Sequence, residues 1–210
     1  MMKSVTFILA LTLALFSTQV CSKSEHDIII RGGALYDGSG GPAVVADLAI
    51  DGDRITAIGK LDDHTGDSEI DATGLAVAPG FINMLSWANE SLIQDGRSLS
   101  DISQGVTLEV MGEGFSMGPL NDAMRQENID RQSDIIYDVS WTSLAEYLQH
   151  MEDRGISTNI ASFVGASSVR IHELGYEDRE PSKEELQRMK MLVRQAMKEG
   201  AMGLGSSLPY

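Results

Sequence analysis

From Pro79 onward the chain alternates short apolar runs with capped helical segments, and no other feature restricts the fold as much. "GVTLEVMGEG" (105–114), "NIASFVGASS" (159–168) and "AMGLGSSL" (201–208) read as strands, as does the run at 76–84. The helices between them carry explicit start signals. Ser143 and Glu146 have capping-box spacing ahead of Leu144, Tyr147, Leu148 and Met151, and Gly155 closes that segment. Ser182 and Glu185 repeat the device after Pro181. Leu186, Met189, Leu192, Val193, Ala196 and Met197 then share one helical face as far as Gly200, with the methionines expected as core filler. Strands separated by helices pair in parallel, because each connection crosses over the sheet. The expectation is four strands and about three helices.

The preceding residues follow a different pattern. "DIIIRGG" is a strand closed by two glycines, and "ALYDGSGGP" a short strand and turn. "ADLAIDGDRITAIG" predicts a hairpin about Asp51-Gly52, since a tight primed turn needs positive φ. Residues 27–77 are therefore expected to form a small all-β unit.

A closed eight-stranded barrel needs about 250 residues. Too few follow Pro79, and the chain stops on a strand and its exit loop. A parallel sheet wants both faces covered and its edges managed. Residues 78–210 are accordingly expected to be the first half of a larger α/β unit, prone to associate through its open edge.

At the N-terminus, "MMKSVTFILALTLALFSTQVCSKSE" has one lysine, an apolar run from Val5 to Phe16, and then small and polar residues. That is the plan of a secretory signal over 1–22, too short for a comfortable membrane span. Two processing outcomes stay open. An ordinary peptidase would cut before Lys23, whereas a lipoprotein cut would leave Cys21, the single cysteine, as a lipid-anchored first residue. Either route exports the protein. The formal net charge of −15 argues against nucleic acid as a partner, because no basic run exists to meet phosphates.

Five segments then occur in a characteristic order: "DIIIRGGALYDGSGGP", "DLAIDGDRITAIG", "IDATGLAVAPGFI", "GVTLEVMGEGFSMGP" and "EGAMGLGSSLPY". Together they resemble the amidohydrolase superfamily, and within it the N-acyl-D-amino-acid deacylase (D-aminoacylase) family. The resemblance implies a β-sandwich domain, of which 27–77 would be the N-terminal part. It also implies a metal-dependent-hydrolase TIM barrel, of which 78–210 would supply about the first four βα units. The implied chemistry is zinc-dependent hydrolysis of a non-peptide C–N amide bond in a small-molecule substrate, with the 210 residues alone inactive.

Three departures bear on that implication. The family follows its "PGFID" strand with His-x-His, and here Leu85 and Trp87 occupy those positions. The family's "GNCGFS" cysteine ligand is matched by Glu113 in "GEGFS". A carboxylate is a competent zinc ligand, so Glu113 is the candidate metal residue. Glu109, within the strand, is expected to be a paired structural acid. The family's "VGHGTLR" reads "VGASSVR", with Ala166 in place of histidine and Arg170 kept. Ser86, Trp87 and Ser167 are the candidate substrate-lining residues, Ser167 and Ser168 also being read as loop-forming. His26, His64, His150 and His172 lack metal-site spacing and are expected at the surface. The alternative reading is an amidohydrolase-fold protein that has lost catalysis and serves as a binding or scaffold protein.

Overall fold

The computed structural model describes residues 25–207. The expected signal segment, its cleavage zone and Cys21 lie outside the described residues. The chain divides into two compact units, the first ending at Pro79 and the second beginning at Gly80.

The first unit is a five-stranded sheet. Its strands are β1 (Glu25–Leu35), β2 (Val44–Asp51), β3 (Arg54–Gly59), β4 (Thr65–Asp71) and β5 (Ala76–Val77). They lie in the order β3-β2-β1-β4, with β5 also on β1. β1 and β2 pair antiparallel across a bulge between Ile30 and Gly33, while β4 and β5 run parallel to β1. The hairpin joins β2 to β3 as expected, but Asp51 pairs with Arg54, so the turn is Gly52-Asp53, one residue later than the sequence suggested. Gly52 supplies the positive φ there, and the Asp27 carboxylate accepts its N–H. Ile29, Ala49 and Leu61 form the buried core of the sheet, with Ala57 packed against them. Arg31 ties three strands together by donating to Glu69 on β4 and pairing with Asp47 on β2.

Two histidines depart from expectation here. His26 is buried, its Nδ1 lies 2.8 Å from Asp51, and its Nε2 lies 3.0 Å from Nδ1 of His64. These groups are far apart in sequence, so only the strand pairing brings them together.

The second unit is α/β. β6 (Phe81–Asn83) leads through α1 (Ser91–Gln94) and α2 (Leu99–Ile102) to β7 (Val106–Met111). Helices α3 (Asp122–Asp130) and α4 (Leu144–Arg154) follow, then β8 (Asn159–Ser162), β9 (Val164–Gly165), α5 (Ala166–Leu174), α6 (Lys183–Lys198) and β10 (Leu204–Gly205). β6, β7 and β8 form one parallel sheet, and β9 and β10 a second parallel pair. The expected single strand at 159–168 is interrupted at Phe163. Ser167 and Ser168 are not loop but belong, with Ala166, to the first turn of α5.

Both capping boxes form. Ser143 accepts from the Glu146 N–H, and Glu146 in turn accepts from the N–H groups of Ser143 and Thr142, which hold its carboxyl below the ordinary range. Leu144, Tyr147 and Met151 put the buried face of α4 into the core beside Leu92, Met111, Val139 and Trp141. The Trp141 indole N–H donates to the Met117 carbonyl, and His150 lies against the same ring at 5.0 Å. On α6 only Ala196 is fully buried; Met189 and Val193 are half-buried, and Leu186 and Met197 are exposed. That face is less covered than its periodicity suggested.

Ser182→Ala is expected to cost about 1 kcal/mol through loss of the α6 cap, seen as a lower urea midpoint at unchanged slope. An unchanged midpoint would contradict the role given to the box. Its partner Glu185 is held at a pKa of about 2, by Arg179 first and then by the Ser182 N–H. Because that value is depressed, the stabilisation is present above the ordinary glutamate range and is lost as pH falls toward about 2.

Candidate metal and substrate site

Parallel strands deliver their carboxyl ends to one edge of a sheet, and side chains placed there converge. β6 continues its pairing past Asn83, since the Ser86 N–H donates to the Val110 carbonyl at 2.8 Å. Residues 84–87 are thereby laid along the end of β7. Alternation then separates the side chains: Ser86 is buried, whereas Leu85 and Trp87 are 52% and 65% exposed. Neither Leu85 nor Trp87 has a lone pair to offer a metal.

The loop after β7 carries Glu113 between two glycines at positive φ, Gly112 (92°) and Gly114 (72°). A Cβ on Gly112 would collide with the Phe163 backbone carbonyl and stand 2.7 Å from the Ser162 hydroxyl. Only glycine combines this conformation with so close an approach. Hydrogen bonds fix the loop on its other side. The Phe115 N–H reaches the Glu113 carbonyl, and the Ser167 N–H reaches that of Gly114. Ser116 donates its N–H to Ser168 and its hydroxyl to the Gly118 carbonyl, and accepts from the Gly165 N–H. The backbone at Glu113 is thus rigidly positioned, while its half-buried carboxyl has no hydrogen bond or ion pair among the described residues. A carboxyl group so presented suits a zinc ion as a single oxygen ligand. Among the described residues no cluster of three metal-competent side chains forms around it or elsewhere.

Glu109 has a different task. It shares a strand face with Met111, which belongs to the helix-covered core, and it is completely buried. Its oxygens accept from Ser86 at 2.6 Å, Ser98 at 2.8 Å and Thr158 at 3.0 Å. Sequence reasoning expected a paired acid; the partners are three hydroxyls rather than a cation. Ser98 is also the one described non-glycine residue at positive φ, 45°.

The candidate lining residues do not stay together. Ser86 is turned away from the exposed edge and serves Glu109. Ser167 is half-buried in the first turn of α5. Trp87 walls a cleft of about 140 Å³ together with Phe115 and Tyr176. Phe115 and Tyr176 were not singled out from sequence. The aromatic directly after "GEG" was the available signal for the first, but Tyr176 lies beyond α5 and nothing local marks it. Its hydroxyl donates to Glu127, and burial first, then that carboxylate, raise the phenol's pKa. Arg170 donates to the carbonyls of Glu177 and Arg179 and so pins the loop that carries Tyr176. His172, also expected at the surface, is half-buried beside Glu173.

No family model matches the chain. Among curated proteins it is 35% identical over 185 residues to a D-aminoacylase of Alcaligenes xylosoxydans xylosoxydans, which covers 88% of this chain and 38% of that relative. A solved D-aminoacylase, described for one-metal activation and second-metal attenuation of its binuclear centre, superposes with a TM-score of 0.75 at 32% identity. That match covers 85% of this chain and 38% of the other. The N-acyl-D-glutamate deacylase of Bordetella bronchiseptica, solved with zinc and a phosphonate inhibitor, gives a TM-score of 0.74 at 27% identity, covering 86% and 38%. The chain thus spans about two fifths of the length of these proteins. Sequence and fold agree that it is a homologue of the D-aminoacylase and N-acyl-D-amino-acid deacylase amidohydrolases, matched over a part of each.

Proposed function

We propose that the protein carrying this chain is a zinc-dependent hydrolase of N-acyl-D-amino acids, and that Glu113 supplies one ligand to its metal. The observation that carries this reading is the Glu113 carboxyl itself. It is fixed between Gly112 and Gly114 at the carboxyl end of a parallel strand and has no hydrogen-bond or ion-pair partner among the described residues. In this reading β6 to β10 with their helices are the opening units of a TIM barrel, and residues 27–77 belong to a β-sandwich. A bound zinc ion would polarise the substrate carbonyl and lower the pKa of its water toward neutrality. The chain's own contribution is to place the carboxyl and to line the mouth with Leu85 and Trp87, which exclude water from it. The one-metal activation described for the related D-aminoacylase accords with a site that lacks the His-x-His pair. The apolar run from Val5 to Phe16 supports export, with Cys21 or Lys23 as the mature first residue.

A second reading, a binding or scaffold protein without catalysis, is favoured by Leu85, Trp87 and Ala166 at positions where the family keeps histidines. Metal content of the full-length protein separates the two. About one zinc per chain is expected, falling sharply in Glu113→Ala, because a metal rarely tolerates loss of a protein ligand. Zinc-free, folded protein would favour the second reading. Two ions per chain, or one indifferent to Glu113→Ala, would show the site to be built otherwise.

A further inference from the structure

Resting on the deacylase reading and deepening it, we infer that the cleft between Trp87, Phe115 and Tyr176 is a specificity subsite. It takes one uncharged apolar group of the substrate, about the size of a phenyl ring.

Four observations carry this. First, all three rings stand exposed, at 65%, 53% and 65%. Aromatic groups clustered in water at one place mark a binding surface more often than chance. Second, the size fits. The cleft holds about 140 Å³, and an apolar cavity of roughly 150 Å³ accepts a benzene ring. Leu120, Met124 and Ile171 add apolar surface beneath the rings, beside the polar side chains of Asn89 and Asn128. Third, the charge at the rim is already spent. Arg131 pairs with Glu127 at 2.5 Å, and the Tyr176 hydroxyl donates to both oxygens of the same carboxylate. The paired Arg131 and Glu127 leave that rim without net charge, so the rings supply the apolar part of recognition. Fourth, one wall of the cleft is tied to the loop of the metal candidate, because Phe115 follows Glu113 by two residues and its N–H bonds the Glu113 carbonyl at 2.8 Å.

The apolar group could be the acyl substituent or the amino-acid side chain. Product-like ligands distinguish these sources, and they bind without being hydrolysed. Full-length protein is titrated with phenylacetate against acetate, and with D-phenylalanine against D-alanine, with binding followed by ligand-detected NMR. Burial of one ring predicts a ten- to hundredfold preference for the aromatic member of one pair. Phenylacetate preferred over acetate assigns the cleft to the acyl group, and D-phenylalanine preferred over D-alanine assigns it to the side chain. The preference should fall at least fivefold in Phe115→Ala, and independently in Trp87→Ala; both rings are exposed, so the fold should bear their loss. No aromatic preference in either pair, or a preference untouched by both variants, would overturn the inference. Because these ligands are not turned over, a ring preference in a protein that hydrolyses nothing would sink the deacylase reading and leave the subsite standing. Hydrolysis without any ring preference would do the reverse.

Discussion

Glu109→Ala is expected to destabilise the second unit by about 3–5 kcal/mol, since each buried hydroxyl left without a partner costs about 1–3 kcal/mol. Three lose their acceptor together: the buried Ser86 and Thr158 and the half-buried Ser98. They sit in the loop after β6, in the turn before α2 and just before β8, so one carboxyl group fastens three segments to β7. Ser98 is held at a φ that a serine seldom adopts, and without its acceptor that strain has less to oppose it. Glu109→Gln is expected to cost about 1 kcal/mol. It keeps one oxygen acceptor, and a hydroxyl can rotate to accept from the new amide. Thermal unfolding followed through the buried Trp141 should show a fall of roughly 10 °C for the alanine variant and a few degrees for the glutamine. Equal effects in the two variants would mean that the hydrogen bonds are not what Glu109 contributes.

The second large effect concerns the loop that presents Glu113. Gly112→Ala is expected to cost about 3 kcal/mol or more, from left-handed strain together with a clash against a backbone atom that cannot rotate aside. Gly155 gives the matched control. Its φ is 77°, but a Cβ there meets nothing within 4 Å. Gly155→Ala should therefore show only the conformational penalty, about 1–3 kcal/mol, without the clash added at Gly112. The two variants should differ in stability by denaturant titration, and in the full-length protein only Gly112→Ala should reduce zinc content, because it moves the backbone on which Glu113 stands. Similar losses for both would remove the argument that close packing fixes this loop.

What was legible in the sequence was what depends on neighbours in the chain. The Ser143 and Ser182 capping boxes, the Gly155 stop and the β2–β3 hairpin are decided within a few residues, and all form. The hairpin slipped by one residue because both Asp51-Gly52 and Gly52-Asp53 place a glycine inside a two-residue turn. α5 was missed for a local reason: Gly165 gives it no side-chain cap, and Val164 before it suits a strand. The structural role expected of Glu109 holds, but its three partners were not legible, for a different reason. Its acceptor function exists only once residues up to 49 positions away have folded around it. The same holds for His26 against His64, and for Tyr176 opposite Trp87. Leu85, Trp87 and Glu113 drew notice only through the resemblance in motif order, and the exposure of the first two required the strand pairing that turns Ser86 inward.

The most direct test of the account is hydrolysis by the full-length protein of matched N-acetyl-D- and N-acetyl-L-amino acids, with release of the free amino acid followed before and after chelation. The expected result is release from the D-series in clear preference to the L-series, abolished by the chelator, restored by zinc and lost in Glu113→Ala. Folded, zinc-replete protein that releases nothing from any N-acyl-D-amino acid, or that hydrolyses both enantiomers equally well, would contradict it.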